Sequence, residues 1–350
     1  MTVLVTGGAG YIGSHMVWEL LDAGEEVVVL DRLSTGHAWA VAPRARLVVG
    51  DIGDTSLVAS LIREERIDAI VHFAGSVVVP ESIADPLGYY LNNTSKTRDL
   101  IQTAVAGGVR HFVFSSTAAI YGDPVAGPID EDVSPQPVTP YGKSKLMSEW
   151  MLRDTAAAHD LSVAVLRYFN VAGCDPSGRT GQSTPGATHL VKVACEAATG
   201  KRSFIEVFGT DYPTPDGSCV RDFIHVSDLV AAHRLALGSL RQNGRSLTLN
   251  CGYGRGYSVL QVLESVQRVT GRSLDVRLAP RREGDLASVV ANTDRIRSEL
   301  GWVPELDDLD AIVATSIEWE ETLGRMADPE AGPFAVTRRR EEERALSRTG

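Results

Sequence analysis

The sequence predicts an α/β protein, built on a doubly wound parallel sheet, with a smaller α/β unit towards its C-terminus. Apolar strand-like runs alternate with segments of helical periodicity through the first half of the 350 residues. These runs are β-branched and almost continuously apolar, which is typical of parallel strands covered on both faces. Because strands that alternate with helices are joined by right-handed crossovers, we expect helices on both sides of one sheet.

The predicted elements of the first half follow one another in strict alternation. The strand-like runs cover residues 3–5, 26–31, 46–51, 68–73, 111–115 and 162–167. Helical periodicity between them covers residues 11–21, 55–66, 86–106 and 140–158.

The pattern changes after Gly173. Residues 175–186 are rich in Gly, Ser, Thr and Pro and predict a long loop, of a kind that is often functional in compact enzymes. We expect a helix over 227–240 that is capped by Ser227, and a strand over 246–250 that returns to the main sheet. From about Met326 the chain is charged, and its run 338–343 indicates a frayed tail or a solvated helix. The remaining predicted elements cover 189–199, 205–209, 260–270, 275–279, 294–301 and 311–323.

The composition of the whole chain excludes several classes of function. A net charge of −11 disfavours nonspecific binding to nucleic acid or to an anionic membrane. No apolar run reaches about 18 residues, and the glycine-rich turn begins where a signal peptide would still be apolar, so we expect a cytoplasmic protein. The eight histidines lack metal-ligand spacing, so we expect no metal site. Reduced thiols are expected at Cys174, Cys195, Cys219 and Cys251.

A glycine-rich turn, residues 6–13, follows the first strand. Gly8, Gly10 and Gly13 have the spacing G-x-G-x-x-G, and Gly7 precedes them. The first glycines permit a tight turn and a close approach of a pyrophosphate, and Gly13 allows the helix to pack close to the sheet. The helix N-terminus offers free N–H groups to the anion. The context predicts a dinucleotide-binding Rossmann unit; the alternative is a glycine turn in a protein that binds no nucleotide.

Acidic residues at the ends of the second and third strands refine this prediction. Asp31 lies 18 residues after Gly13, where a carboxylate binds the ribose hydroxyls and repels a 2′-phosphate, which favours NAD over NADP. Arg32 complicates this prediction, because arginine can hold that phosphate. Asp51 can bind the adenine amine while Ile52 packs on the ring; the alternative is that Asp51 only caps a helix.

Tyr141 and Lys145 are a second strong signal. They lie four residues apart at the start of a predicted helix and therefore share one face. A free phenol has a pKa of about 10, and we expect the neighbouring ammonium and a bound nicotinium ring to lower it into the range of acid–base catalysis. Thr117 ends the preceding strand and would relay a proton. The alternatives are a surface Tyr–Lys pair and a threonine that only caps the end of the strand.

Ordered motifs carry a resemblance to a known family over residues 1 to about 325. They are residues 7–15, 30–36, 72–75, 86–93, 120–123, 140–145, 166–170, 221–226 and 281–286. The sequence resembles the extended short-chain dehydrogenases/reductases of the NAD-dependent epimerase/dehydratase family, and among them the nucleotide-sugar 4-epimerases. The resemblance implies redox-neutral interconversion of UDP-glucose and UDP-galactose through a 4-keto sugar.

The resemblance also implies two sets of site residues, with Tyr141, Lys145 and Thr117 catalytic. The NAD set is Gly7, Gly10, Tyr11, Ile12, Gly13, Asp31, Arg32, Leu33, Ser34, Thr35, Gly36, Asp51, Ile52, Phe73, Ala74, Gly75, Ser76, Val77, Asn92, Thr117, Tyr141, Lys145 and Phe169. The set for the UDP-hexose is Thr117, Tyr141, Asn170, His189, Leu190, Val207, Phe208, Arg221, Arg282, Asp285 and Val289. Arg221 and Arg282 would hold the diphosphate; the alternative for Arg221 is a salt bridge with Asp222.

The domain organisation follows from the same resemblance. Residues 1–172 would form the NAD-binding Rossmann domain, to which 223–252 returns, and residues 173–222 with 253–325 would bind the UDP-sugar. Relatives of this type imply a homodimer, formed through the helices 86–106 and 140–158, although core burial explains their apolar faces equally well.

Two other functions stay open at this point. A dehydratase of the same family is disfavoured because residues 117–120 contain no acid for elimination of water. A noncatalytic NAD(H) sensor would not need Tyr141, Lys145, Arg221 and Arg282 together. Val289 stands where some members have a tyrosine that narrows the sugar pocket, so N-acetylated UDP-hexoses are expected as further substrates.

Overall fold

The structure is a computed structural model that describes residues 1–123, 127–282 and 284–327. The charged run 338–343, for which we predicted a frayed tail or solvated helix, lies outside the described residues. The described strands are β1 Thr2–Thr6, β2 Glu26–Asp31, β3 Arg46–Val49, β4 Ile67–His72, β5 His111–Thr117, β6 Ser162–Tyr168, β7 Asn170–Ala172, β8 Ile205–Phe208, β9 Val220–His225, β10 Leu247–Cys251, β11 Gly256–Ser258, β12 Val276–Ala279 and β13 Ser288–Val289.

The helices alternate with these strands as the sequence predicts. They are α1 Tyr11–Asp22, α2 Thr55–Glu64, α3 Val79–Ala84, α4 Pro86–Tyr89, α5 Lys96–Ala106, α6 Pro140–Ala158, α7 Leu190–Ala198, α8 Val226–Asn243, α9 Val259–Thr270, α10 Asp294–Leu300 and α11 Leu309–Ala327. Short 3₁₀ turns cover Ala38–Ala40 and Ala118–Ile120, and a π-helical turn covers Tyr90–Ser95.

Within the described residues the main sheet is parallel and seven-stranded, in the order β3-β2-β1-β4-β5-β6-β10. The order reverses direction between β1 and β4, which is the place where doubly wound sheets bind ligands outside the carboxyl ends of their strands. The long pairing of β5 with β6 brings Thr117 opposite Tyr168. The doubly wound α/β fold is therefore confirmed, and the strand predicted over 246–250 pairs with β6.

Both faces of this sheet are covered by helices. Val3 and Val5 of β1 belong to a core that includes Met16 and Leu20 of α1, and that core continues to α8. Leu4, between them, belongs to the opposite core with residues of α2, α5 and α6. Successive side chains of a strand point to opposite faces, so a fully apolar strand is buried on both. Each such side chain contributes about 1.5–3 kcal/mol by its burial.

The helix predicted over 86–106 is interrupted by the π-helical turn Tyr90–Ser95. At this turn the Asn93 side chain accepts a hydrogen bond from the Ser76 amide and donates one to the Ser76 carbonyl. Turns of this kind are frequent at functional sites, because the extra residue changes the direction of the neighbouring side chains.

The cap predicted at Ser227 is wrong. Helix α8 begins one residue earlier, and the His225 side chain accepts the hydrogen bond from the Ser227 amide.

The later segments form small sheets beside the main one. β9 pairs with β11 and β13, and β7 also pairs with β9. β8 and β12 form a separate parallel pair. α7, α9 and α11 pack against one another next to these strands. No helix in the described ranges is long and apolar enough to cross a membrane.

Candidate active site

The glycine-rich turn lies at the carboxyl end of β1 and leads directly into α1. Gly7 has a φ of +73°, and a Cβ there would lie 2.6 Å from the Ala74 amide nitrogen. A Cβ on Gly13 would lie 2.1 Å from the Gly7 carbonyl oxygen. α1 has Gly10 at its N-cap, and in the described chain no side chain caps it and no acidic residue lies in its first turn. The turn is therefore shaped to receive an anion at the helix N-terminus.

Asp31 ends the neighbouring strand and stabilises this turn by hydrogen bonds. Its carboxylate accepts hydrogen bonds from the amides of Ala9, at 3.0 Å, and Leu33, at 2.8 Å. Leu33 has a φ of +58°, and the chain after it folds back so that the Gly36 backbone lies against Ala9. Two bonds leave lone pairs free on this carboxylate, which keeps it available to a ribose diol.

Asp51 and Arg32 contact each other at the end of β3. The Asp51 carboxylate accepts a hydrogen bond from Lys96 at 2.5 Å and one from the Gly53 amide, and the Arg32 guanidinium lies 3.9 Å away. Lys96 and Gly53 hold the pKa of Asp51 below its usual range, although burial acts in the opposite direction. The capping alternative for Asp51 is wrong, because Asp54 caps α2.

The residues that end β4 line the same edge. Within the segment 73–77, the amide and carbonyl of Ser76 bond to Asn93, and the Ser76 hydroxyl accepts from Asn92 at 2.9 Å. A Cβ on Gly75 would lie 3.1 Å from the Asn93 Oδ1 and 3.8 Å from the Lys145 Nζ. The sequence reasoning chose Asn92 and missed Asn93, which is buried and links this segment to α6.

Tyr141 and Lys145 lie on the buried face of the first turns of α6. Their exposed fractions are 6% and 4%, so the alternative of a surface pair is wrong. The Lys145 ammonium donates to the Ser115 carbonyl at 2.9 Å and lies over the Phe114 ring. The Thr117 hydroxyl accepts from the Ala119 amide, so it does cap the turn after β5. Its own proton remains available to a further acceptor.

The pKa values of this group differ from the sequence-based expectation. Burial raises the pKa of the Tyr141 phenol, and hydrogen bonding with Thr117 acts in the opposite direction. Burial lowers the pKa of the Lys145 ammonium to about 8, against the effect of the Glu149 charge. The expectation that the ammonium lowers the phenol pKa is therefore wrong for the chain by itself, because desolvation disfavours both charged forms.

A buried ion pair beneath this group was missed by the sequence reasoning. Glu149, one turn after Lys145, accepts a hydrogen bond from the Ser116 hydroxyl and pairs with Arg167 of β6 at 2.7 Å. Arg167 also donates to the Tyr121 hydroxyl. The i, i+4 spacing of Lys145 and Glu149 was a signal that could have found Glu149. Arg167 could not be found in this way, because its contact comes from the fold.

The predicted substrate residue Arg221 lies on β9. Its guanidinium donates to the carbonyls of Val220 and Leu286, and its Nη2 lies 3.9 Å from the Asp285 carboxylate. The alternative of a salt bridge with Asp222 is wrong. The Asp222 carboxylate instead accepts hydrogen bonds from the backbone amides of residues 253, 254 and 291, and burial raises its pKa to about 6.

Arg282 lies near the end of β8. Its guanidinium lies over the Phe208 ring, 3.6 Å from the centroid. The adjacent Arg281 points to Asp211 and covers the Tyr212 ring, so the two neighbouring arginines have different surroundings. Val207, one residue before Phe208, is buried in the core.

The remaining predicted substrate residues lie on the elements around this end. Asn170 begins β7, directly after Phe169, which was predicted to contact NAD, and Val289 pairs with Arg221 through β13. His189 precedes α7, where its ring nitrogen bonds to Gln182 at 2.8 Å and burial lowers its pKa. Leu190 begins α7.

The arrangement suits a dinucleotide better than a metal. The carboxyl ends of β1, β2, β4 and β5 contribute the glycine turn, Asp31, the segment 73–77 and Thr117 to one edge of the sheet. The open helix N-terminus and the crowded Gly7 and Gly13 fit a pyrophosphate. Among the described residues no group of three His, Cys, Asp or Glu side chains could hold a metal ion. All four cysteines are free and buried.

Comparisons with known proteins agree with this geometry. Residues 3–252 match the NAD dependent epimerase/dehydratase family. The UDP-glucose 4-epimerase of Azospirillum brasilense is 54% identical over 331 residues, which are 95% of each chain. A solved UDP-glucose-4-epimerase from Stenotrophomonas maltophila, with bound NAD and formylated UDP-arabinopyranose, is 40% identical with a TM-score of 0.91, over 93% of this chain and 100% of that one.

A third comparison concerns the range of sugars. The UDP-Glc/GlcNAc 4-epimerase of Campylobacter jejuni is 45% identical with a TM-score of 0.81, over 92% of this chain and 99% of that one. Since the family match covers more than half of the sequence and the relatives match it almost from end to end, the chain belongs to the NAD-dependent epimerase/dehydratase family.

Proposed function

We propose that this chain is a cytoplasmic, NAD-dependent enzyme that interconverts UDP-glucose and UDP-galactose by inverting carbon 4 of the sugar. The observation that carries the proposal is the buried group Tyr141, Lys145 and Thr117, which lies at the same edge of the sheet as the glycine turn. We assign residues 1–172 and 223–252 to the NAD-binding unit, and residues 173–222 and 253–325 to the UDP-sugar unit.

The protein residues move the proton of the sugar hydroxyl. Tyr141 takes the proton from the 4-hydroxyl and gives it back after the sugar has turned over, and Thr117 relays or donates at the same oxygen. Bound NAD supplies a hydride acceptor for carbon 4 and a positive ring whose charge favours the phenolate. Lys145 is held by the Ser115 carbonyl and fixes a second positive charge at the site. No oxidant is consumed, because the same hydride returns to the opposite face of the ketone.

The UDP group is the fixed anchor in this proposal. Arg221 and Arg282 supply positive charge to a diphosphate in a chain whose net charge is −11. Arg282 is already oriented by the Phe208 ring, and Arg221 by two carbonyls. Asp285 binds the uridine ribose, and Val207, His189 and Leu190 line the nucleotide end. Tight contacts on UDP and few on the sugar allow the ketone to present either face.

The test of this function uses the purified full-length protein without added cofactor. Incubation with UDP-galactose is expected to give UDP-glucose, and denaturation of the same sample is expected to release NAD. Formation of a dehydrated 4-keto product instead would support the family's dehydratases. Release of NAD without any conversion of the sugar would support the NAD(H) sensor.

We propose that N-acetylated UDP-hexoses are also substrates, because a valine at position 289 leaves more room beside the sugar than a tyrosine. The relative from Campylobacter jejuni, a UDP-Glc/GlcNAc 4-epimerase, supports this range. Turnover of UDP-N-acetylglucosamine by the wild type, and its selective loss in Val289→Tyr with UDP-galactose still converted, is the expected result. Conversion of UDP-galactose alone by the wild type would contradict the wider range.

We also propose that the enzyme is a homodimer. Large apolar side chains are exposed along the helical segment 79–95 and on α6, among them Leu87 at 78% and Trp150 at 49%. Leu91 and Met147 of the same two segments are also exposed, at 57% and 37%. Two copies that pair these helices would bury these side chains in a self-complementary interface.

Sedimentation of the purified protein tests the dimer. The wild type is expected at twice the mass of one chain, and Trp150→Glu and Leu91→Glu at the mass of one. Val303→Glu is the control, because Val303 is also exposed, at 76%, but lies outside these helices. A wild type that sediments as a single chain would contradict the proposal.

A further inference from the structure

Three aromatic side chains and one serine join distant parts of the chain beside the glycine turn. The His37 Nε2 donates to the Ser183 carbonyl at 3.3 Å, and the Trp319 Nε1 donates to the Ser183 hydroxyl at 3.2 Å. The His37 ring stacks on Trp39, which in turn lies 6.2 Å from the Trp319 ring. Ser183 is therefore held from both sides, by the segment after β2 and by α11.

These contacts close one side of a small recess at the turn. The His37 amide donates to the Ala9 carbonyl at 2.9 Å, which fixes the segment 35–40 against the turn itself. The recess is lined by Ala9, Gly10, Tyr11, Thr35, Gly181 and Thr184. The glycine turn is thus one wall of a space whose opposite wall is the loop 181–184.

The same loop is also attached to α1. The hydroxyls of Ser14 and Thr180 are 2.8 Å apart, and the Asp175 amide donates to the His15 Nε2 at 3.0 Å. Because both bonds are buried, they hold the base of the loop rigidly beside the helix. The far side of the loop is held by the two contacts of Ser183 and by the bond between Gln182 and His189, so the Ser183 contacts contribute to how easily this wall can open.

We propose that Ser183, His37 and Trp319 form a clasp that keeps the loop closed over the phosphate-binding end of the cofactor groove and slows dinucleotide release. The proposal rests on the NAD-dependent cycle proposed above. In that cycle the cofactor is oxidised again before the product leaves. Release of the reduced cofactor before that point would leave the sugar as the ketone. An enzyme of this type gains nothing from rapid exchange of its cofactor.

The test measures release of NAD from purified holoprotein, diluted into a scavenging enzyme that consumes free NAD. Trp319→Phe keeps an aromatic side chain but removes the donor to Ser183. A hydrogen bond of this kind contributes about 0.5–1.5 kcal/mol, so release is expected to become about 3- to 10-fold faster. His37→Phe keeps the stacked ring and is expected to act similarly. Ser183→Ala removes the Trp319 bond from the other side, which covers the case in which Trp319→Phe fails to fold.

Trp302→Phe is the matched control. Trp302 is as buried as Trp319, and its Nε1 also makes one hydrogen bond, but to the Asp228 carbonyl and not to Ser183. Its substitution is expected to lower the melting temperature without changing the rate of NAD release. Unchanged release in the Trp319, His37 and Ser183 variants, or equally faster release in Trp302→Phe, would overturn the clasp. A wild type that binds no NAD would instead refute the proposed function.

Discussion

The two ends of the candidate site, which we propose for proton transfer and for UDP binding, are built in different ways. Tyr141 and Lys145 lie on a buried floor, where Glu149 and Arg167 complete a hydrogen-bonded ion pair. At the UDP end, Arg282 lies on the surface, against an aromatic ring. Protein atoms enclose the floor, whereas the Arg282 side chain is exposed to solvent, where an anion can reach it. Chemistry and anchoring can therefore be disrupted separately.

The largest loss of activity without loss of ligand binding is expected from Tyr141→Phe. Loss of general acid–base catalysis costs about 10²–10⁴-fold in kcat. Binding of NAD and UDP-galactose should persist, because phenylalanine keeps the shape of the ring. Steady-state kinetics together with calorimetric titration of the substrate checks both halves of this expectation. A kcat within a few fold of the wild-type value would show that Tyr141 is not the acid–base catalyst.

At the UDP end, Arg282→Gln is expected to change binding rather than chemistry. A hydrogen bond to a charged group contributes about 1.5–3 kcal/mol, so KM for UDP-galactose should rise about 10- to 100-fold with kcat retained. Arg281→Gln is the matched control, since Arg281 pairs with Asp211. An equal rise of KM in both variants would mean that the two positions act only through net charge.

Acid should destabilise the folded protein through His72, the last residue of β4. This ring is enclosed between the hydroxyls of Thr6 and Thr97, and burial lowers its pKa from 6.5 to about 3. The unfolded chain therefore takes up a proton first, so stability is present above pH 6.5 and is lost as the pH falls towards 3. One such group contributes at most about 1.4 kcal/mol per pH unit.

Denaturant unfolding between pH 6.5 and 4 checks the role of His72. The slope of the unfolding free energy against pH should be smaller in His72→Gln than in the wild type. The exposed His159 is the matched control, and His159→Gln should leave the slope unchanged. A slope that His72→Gln does not alter would assign the acid sensitivity to other groups.

The smallest effect is expected at Thr117. Thr117→Val removes the hydroxyl and should lower kcat about 10-fold, the value of one ordinary hydrogen bond. Thr117→Ser keeps the hydroxyl and should stay within about 3-fold. A pH–rate profile of both variants distinguishes a proton relay from a change in packing. Equal kcat values for the valine and serine variants would show that the hydroxyl takes no part.

The fold was predictable from sequence because its strands are apolar on both faces, a pattern that few other structures share. The glycine turn and the Tyr141–Lys145 spacing were equally local signals. Strand geometry could already have excluded the alternative of a salt bridge between Arg221 and Asp222. Neighbours in a strand point to opposite faces, so β9 separates these two side chains instead of pairing them.

Other features could not be read from local pattern. The π-helical turn at Tyr90–Ser95 has the periodicity of an ordinary helix, and it depends on the contact of Asn93 with Ser76, 17 residues away. The raised pKa of Tyr141 follows from the packing of the whole floor around it. Properties that arise from burial need the tertiary structure, because a spacing of residues carries no information on solvent exclusion.

The late strand β10 has a consequence for synthesis of the chain. β6 keeps an unpaired edge until Leu247–Cys251 has been made and has docked beside it, some eighty residues after β6 itself. A nascent polypeptide that stops before this point presents bare backbone donors and acceptors, which other chains can pair with. Incomplete chains that already contain β6 should therefore be the ones that aggregate or recruit chaperones, and docking of Leu247–Cys251 should end that vulnerability.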